Sequence, residues 1–115
     1  MGADLNIVKT GSKKALSFSD ENYYRDCYNS FGTFAGLGLS WWRDVIPMLD
    51  KGYLSVEKAE ELKKAVVKKL GEFKHKVDGE IYQEKYAKAI IEDSLVLIAF
   101  LQRAIDMKSK IDCSL

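Results

Sequence analysis

The most regular pattern of apolar and polar positions lies between Ser55 and Gly79. Apolar residues recur there at intervals of three and four, which is typical of a helix with one apolar face. Ser55 can cap the first turn, glutamates follow it, and lysines fill the second half, an order that the helix dipole favours. The predicted stripe consists of Ala59, Leu62, Val66, Leu70, Phe73 and Val77.

A second stripe of the same kind predicts a last helix from about Glu80 to Met107. Only Asp78 and Gly79 separate it from the preceding helix, so we expect the two helices to pack as an antiparallel hairpin. From Leu95 to Leu101 the helix is apolar on every side. This segment is therefore predicted to be either central in the fold or shared with a second copy of the chain.

The first half of the chain is rich in aromatic residues at helical spacing. Ser19 or Asp20 can cap a first helix, which we expect to end between Phe34 and Gly38, where glycines weaken it. The apolar face of this predicted helix carries Tyr24, Cys27, Tyr28, Phe31 and Phe34.

A short helix is predicted after that bend, from Trp41 to Leu49. Ser40 can cap it, and because Pro47 has no N–H to donate to the preceding turn, we expect either a kink at Pro47 or a helix start near it. Gly52 follows in the left-handed conformation that commonly ends a helix.

Both ends of the chain alternate between apolar and polar residues. Asp4 to Val8 and Lys110 to Leu115 show the period of two that is typical of a strand. Either these segments pair with each other beside the helices, or they are frayed tails. The sequence thus predicts a mainly α fold: a bundle of about four helices with a long C-terminal antiparallel hairpin, in one domain over residues 1–115.

The composition narrows the chemistry. Eighteen Lys and Arg against 17 Asp and Glu leave a net charge of +1, so neither nucleic acid nor a membrane is expected as a partner. His75 is the one histidine and has no metal-ligand pattern beside it, so we expect it to be exposed, with no metal and no cofactor. Cys27 and Cys113 form no Cys-x-x-Cys pattern and are expected to be reduced, buried apolar residues of a cytosolic protein.

Two charged features stand out on the predicted helices. The segment from Lys63 to Lys76 contains six lysines and a single glutamate. We interpret these lysines as a solvated face of the helix rather than a phosphate site. Glu92 and Asp93 interrupt the most apolar part of the chain. A solvated edge is the favoured interpretation; the alternative is partial burial, where a carboxylate needs Lys, Arg or a hydroxyl beside it.

The strongest candidate site is a cluster of aromatic and arginine residues. Tyr23 to Asp26 and Trp41 to Asp44 each place an Arg-Asp pair after two aromatics, and adjacent helical residues cannot both face one core. Exposed Trp, Tyr and Arg anchor protein interfaces and also stack on bases and bind phosphates. The alternative is that these aromatics complete the core. The candidate binding residues are Tyr23, Tyr24, Arg25, Trp41, Trp42, Arg43 and Asp44.

The same segments resemble short, uncharacterised proteins encoded by bacteriophages and prophages. The resemblance rests on Tyr24-Arg25-Asp26, on Leu39 to Pro47, and on the terminal residues Met1 to Asp4 and Cys113 to Leu115. It implies a small protein made inside an infected bacterium, where such proteins often bind and modulate host or defence proteins. It implies no residue role.

Three functions follow from the sequence, in order of preference. The first is a non-enzymatic binding protein that occupies a bacterial partner protein through the aromatic and arginine cluster. The second is a binder of a small ligand or nucleotide at the same cluster. The third is an enzyme, for which one histidine leaves little acid–base chemistry. The apolar segment Leu95–Leu101 further predicts self-association.

Overall fold

The computed structural model describes residues 2–8, 22–27, 32–79 and 84–115. Within these ranges, an antiparallel sheet of four strands and two long helices share one apolar core. The strands are β1 (Gly2–Ile7), β2 (Tyr23–Cys27), β3 (Tyr53–Leu54) and β4 (Ile111–Ser114), in the order β2-β1-β4-β3. The helices are α1 (Thr33–Gly36), α2 (Val56–Gly79) and α3 (Glu84–Asp106).

The two terminal segments form the inner strands of the sheet. β1 and β4 pair antiparallel, with Leu5 opposite Cys113, and alternate residues of both strands are buried. The interpretation of these segments as frayed tails is therefore wrong. Their pairing belongs to a larger sheet, because β2 adds to the free edge of β1 and β3 to the free edge of β4.

The predicted fold class, a mainly helical bundle, is wrong because of this sheet. The predicted first helix is wrong over Tyr23–Cys27, which is a strand with Tyr24 and Asp26 facing inward, whereas its described last part, Thr33–Gly36, is helical as α1. The residues of this strand alternate between buried and exposed. Because one of the buried residues is an aspartate, counting apolar residues does not reveal this period of two. The predicted caps Ser19 and Asp20 lie outside the described residues.

A turn of π-helix covers Trp41–Val45, closed by the N–H of Ile46 donating to the carbonyl of Trp41. A 3-10 turn, Ile46–Met48, follows and takes Pro47 near its start, where no N–H is needed. The predicted Ser40 cap is confirmed, since its hydroxyl accepts from the N–H of Arg43 at 3.3 Å. A π-helical turn and a 3-10 turn thus replace the predicted single helix, and the expected helix start near Pro47 is confirmed.

The left-handed conformation of Gly52 is confirmed, with φ +85°. Its context differs from the prediction, since Lys51 is also left-handed and the pair connects Asp50 to Tyr53 in a two-residue hairpin turn. This turn leads the chain directly into β3.

The helix α2 has the predicted cap and stripe. The Ser55 hydroxyl accepts from the N–H of Lys58 at 3.2 Å. The stripe packs into the core shared with α3, and Lys63 hydrogen-bonds to Gln102 across the two helices. Among the stripe residues whose side chains the structure describes, the buried ones are Ala59, Leu62, Val66, Leu70 and Phe73.

The apolar segment Leu95–Leu101 of α3 is divided between core and surface. Leu97 and Leu101 are fully buried within the chain, whereas Leu95 and Val96 are about half exposed. No helix in the described ranges combines the length and apolar character that a membrane span requires.

Candidate functional site

The structure separates the seven candidate binding residues into core and surface. Tyr24 and Trp41 are 3% and 2% exposed, so neither presents a side chain to a partner. Trp42 is 67% exposed, and Arg43 beside it is also on the surface. Trp41 and Trp42 thus divide the two roles that the sequence left open, one in the core and one on the surface.

Asp26 joins β2 to the segment that carries the two tryptophans. Its carboxyl is 5% exposed and accepts three hydrogen bonds, two of them from the backbone N–H groups of Thr33 at 2.8 Å and Phe34 at 3.0 Å. The third comes from Trp41 Nε1 at 2.8 Å. Since Gly32 offers α1 no side-chain cap, Asp26 caps the helix from a neighbouring strand.

Trp41 is fixed by its ring as well as by this hydrogen bond. Its indole stacks on Phe34 with ring centroids 3.7 Å apart and planes 5° from parallel. The two rings lie nearly face to face, so each covers apolar surface of the other, and the burial of that surface stabilises the contact. The position of the Trp41–Val45 turn is therefore set from inside the protein.

The outer side of the same turn is also held in place. Arg43 donates to Asp44 Oδ2 at 2.8 Å and to the carbonyl of Gly38 at 3.0 Å. Asp44 in turn accepts from the N–H of Ser40 at 2.8 Å. The hydrogen bond from Arg43 lowers the pKa of the Asp44 carboxyl, which therefore stays charged at neutral pH. We call Trp42, Arg43 and Asp44, as this turn presents them, the Trp42 platform.

Tyr23 and Arg25 belong to a different element, the outer face of β2. The Tyr23 hydroxyl donates to Asp4 on the neighbouring strand, and Arg25 Nε lies 3.7 Å from the same carboxylate. The hydrogen bond to Asp4 raises the pKa of Tyr23 above its usual value. These two residues are thus occupied in cross-strand pairing within the sheet.

A second carboxylate, Asp93 of α3, ties the helix to this region. Its Oδ2 accepts from the hydroxyls of Tyr24 and Thr33, both at 2.6 Å. Burial, and then the hydrogen bond to Asp93, raise the pKa of Tyr24 well above its usual value, so it remains protonated. Asp93 is partly buried and Glu92 is exposed, so the favoured interpretation of both as a solvated edge holds only for Glu92.

Sequence reasoning missed Asp26 and Thr33 as residues that organise the site, and it gave the partial burial of Asp93 beside a hydroxyl only as the alternative. The available signal for Asp26 and Thr33 is chemical, because aromatic residues lie close to each in the sequence and an unpaired polar group is costly beside them. Their hydrogen bonds join residues seven or more positions apart, and no local pattern identifies these pairs.

The cysteines and the histidine take no part in the hydrogen bonds described above. Cys113 is buried as predicted, and burial raises the pKa of its thiol to about 12. Cys27 is exposed, so its predicted burial is wrong; as the last residue of β2 it points away from the core. His75 is exposed as predicted. Among the described residues, no three His, Cys, Asp or Glu side chains form a group suited to a metal ion.

A groove of about 540 Å³ lies between α2 and α3. None of the seven candidate residues lines it, so the cluster proposed for a small ligand and the described cavity are at different places. The lining residues are Glu60, Lys63, Lys64, Val67, Lys68, Gln102 and Ile105.

Comparison with known protein families, with curated proteins and with solved structures returned no match. The functional argument therefore depends on the residues described above.

Proposed function

We propose that this chain is a non-enzymatic binding protein that occupies a partner protein through the Trp42 platform. One observation carries the proposal: a tryptophan that is 67% exposed follows directly after one that is locked in the core. Tryptophan, together with tyrosine and arginine, is enriched among the few residues that contribute most of the binding energy in protein interfaces.

The rigidity of the platform supports the same function. Binding costs free energy when flexible side chains and loops must be ordered, and a turn that is already ordered avoids part of that cost. Trp41 fixes the turn from the inside, while the Arg43–Asp44 pair and the Ser40 cap hold it from the outside. The backbone that carries Trp42 is thereby held in one conformation before a partner arrives.

The setting we propose is the bacterial cytoplasm, with a host or defence protein as the partner. The resemblance to short phage and prophage proteins supports this setting. A protein that acts by occupying another needs no acid–base pair, and the buried carboxyl of Asp26 fits a structural role because its oxygens already accept three donors from the chain itself.

The test is quantitative capture of partners from a bacterial lysate by the immobilised chain, followed by mass spectrometry. We expect a defined protein to be enriched by the wild type and lost with Trp42→Ala, because this change removes the main anchor. Val96→Ala is the matched control, since it truncates another exposed apolar residue on a different element. Far-UV circular dichroism should be unchanged in both variants.

The purified partner then gives a second measurement. Acrylamide should quench Trp42 readily in the free chain, and the partner should protect it. Trp42→Phe retains only the buried Trp41 and supplies the baseline. Equal capture by wild type and Trp42→Ala, or no protection from quenching, would reject the Trp42 platform as the binding surface.

A further inference from the structure

The groove between α2 and α3 is a second surface with features of a binding site, separate from the Trp42 platform. Val67 and Ile105 provide apolar lining, and Val67 is 48% exposed. Lysine side chains run along the α2 side, where their aliphatic stems add to the apolar surface and their ammonium groups reach solvent. The groove is therefore apolar inside and cationic at its rim.

The charge of the rim is unbalanced. Lys63, Lys64 and Lys68 line the groove, and Glu60 is the one carboxylate among the described residues that line it. Lys63 is engaged with Gln102, but neither Lys64 nor Lys68 forms an ion pair with a carboxylate whose side chain the structure describes. An occupant with carboxylates on its edges would complement this rim.

Gly71 indicates how closely an occupant can approach α2. It lies in the interior of a long helix, where glycine is a poor helix former, and a Cβ at this position would meet nothing within 4 Å. No contact described within the chain requires it. Lys64, Val67, Lys68 and Gly71 follow the spacing i, i+3, i+4, i+7, which places them along one face of α2. A small residue beyond Val67 permits a second helix to cross close to the backbone.

We propose that this groove docks an acidic amphipathic helix of a partner protein. Pockets for small molecules enclose most of their ligand, whereas here Glu60, Lys64 and Lys68 are exposed and the groove is open along its length. An open groove with an apolar floor and charged rim matches the way amphipathic helices bind, with apolar anchors inward and charges at the edges. Charge complementarity selects glutamate and aspartate for those edges.

The experiment measures fluorescence anisotropy of a labelled amphipathic peptide of about 15 residues, with leucines at i, i+3, i+4 and i+7 and glutamates elsewhere. The full chain should bind it, and affinity should fall as salt rises from about 50 to 300 mM. Lys64→Glu combined with Lys68→Glu should weaken binding roughly tenfold or more. Gly71→Leu should also weaken it, because the added side chain blocks the approach.

Lys88→Glu is the matched control, because it reverses an exposed lysine of α3 that does not line the groove. It should leave the affinity unchanged, as should Trp42→Ala, since the platform is a separate surface. A peptide of the same composition in scrambled order lacks the helical stripe of leucines. It should not bind if the groove recognises that stripe.

Four results would overturn the proposal. They are binding weaker than about 1 mM, equal binding of the scrambled peptide, no effect of the double lysine reversal, and binding of dodecanoate in place of the peptide. The last result would assign the groove to a small amphiphilic anion. Self-association that light scattering detects, and that the double reversal abolishes, would instead assign the groove to a second copy of the chain.

Discussion

The region around Asp26 and the pair of helices α2 and α3 are stabilised in different ways. In the first region, Asp26 and one residue of α3, Asp93, accept five hydrogen bonds from residues 7 to 69 positions away in the sequence. In the second, an apolar stripe is buried, and the ion pairs lie on the exposed surface. A few polar residues therefore determine the geometry of the first region, while the second distributes its stability over many apolar contacts.

The largest effect is expected from Asp26→Ala. The change leaves two backbone N–H groups and the Trp41 indole buried without their acceptor, which should cost about 3–5 kcal/mol of unfolding free energy. Urea unfolding followed by circular dichroism measures it. Asp112→Ala, which removes an exposed aspartate from β4, is the matched control and should change little. A loss below about 1 kcal/mol would mean that the three donors find other acceptors.

A pair of glycine substitutions compares the two regions directly. A Cβ on Gly32 would lie 2.2 Å from the carbonyl oxygen of Cys27, so Gly32→Ala should destabilise by about 2–3 kcal/mol. Gly71→Ala on exposed α2 should stabilise by about 0.5–1 kcal/mol, because alanine is the better helix former and nothing obstructs it. Thermal melts of both variants test the opposite signs. Equal effects would contradict the contrast.

Tyr24→Phe removes one of the two hydroxyl hydrogen bonds to Asp93 and should cost about 1–2 kcal/mol at neutral pH. It should also change the response to alkali. Above about pH 10 an unfolded tyrosine ionises while the raised pKa keeps folded Tyr24 protonated, so the contribution of Tyr24 to stability is lost as pH rises.

The measurement is the urea midpoint from pH 8 to about pH 11, which should fall less steeply in Tyr24→Phe than in wild type. Tyr53→Phe, in β3 at the opposite edge of the sheet, is the control. Parallel alkaline curves for wild type and Tyr24→Phe would refute the link between this hydroxyl and stability.

The smallest effect is expected on the outer surface of α2. Lys58 and Glu61 form an exposed ion pair at 3.4 Å, and Glu61→Gln should change the unfolding free energy by less than about 0.5 kcal/mol. Differential scanning calorimetry at low and high salt tests this. A decrease of several degrees in the melting temperature would show that exposed charges contribute more to the stability of α2 than this prediction allows.

The same contrast explains what the sequence could predict. The α2 stripe and the Ser55 cap depend on spacing within one helix, and a periodic pattern reveals such spacing. The Ser40 cap could also be predicted from the sequence, because its partner Arg43 is three residues away.

The structure of the Asp26 region could not be predicted from the spacing of apolar residues. Tyr24 and Asp26 both face inward in β2, but the pattern counts an aspartate as outward, so the aromatic spacing predicted a helix instead. Asp26 is buried because Thr33, Phe34 and Trp41 supply donors, and that pairing exists only once the chain has folded. For the candidate site, the sequence predicted one exposed tryptophan of the two, but it could not determine which.

The pairing of β1 with β4 also constrains when the chain can fold as it is synthesised. Leu5 cannot pair with Cys113 until Cys113 has been synthesised. The central strand pair of the sheet is therefore incomplete until nearly the whole of the 115-residue sequence has left the ribosome. The α2–α3 pair is local and can form earlier, whereas contacts of such long sequence separation form slowly. Until β4 arrives, the edge of β1 that β4 will cover remains exposed to other nascent chains and to chaperones, whereas β2 can already pair with the other edge.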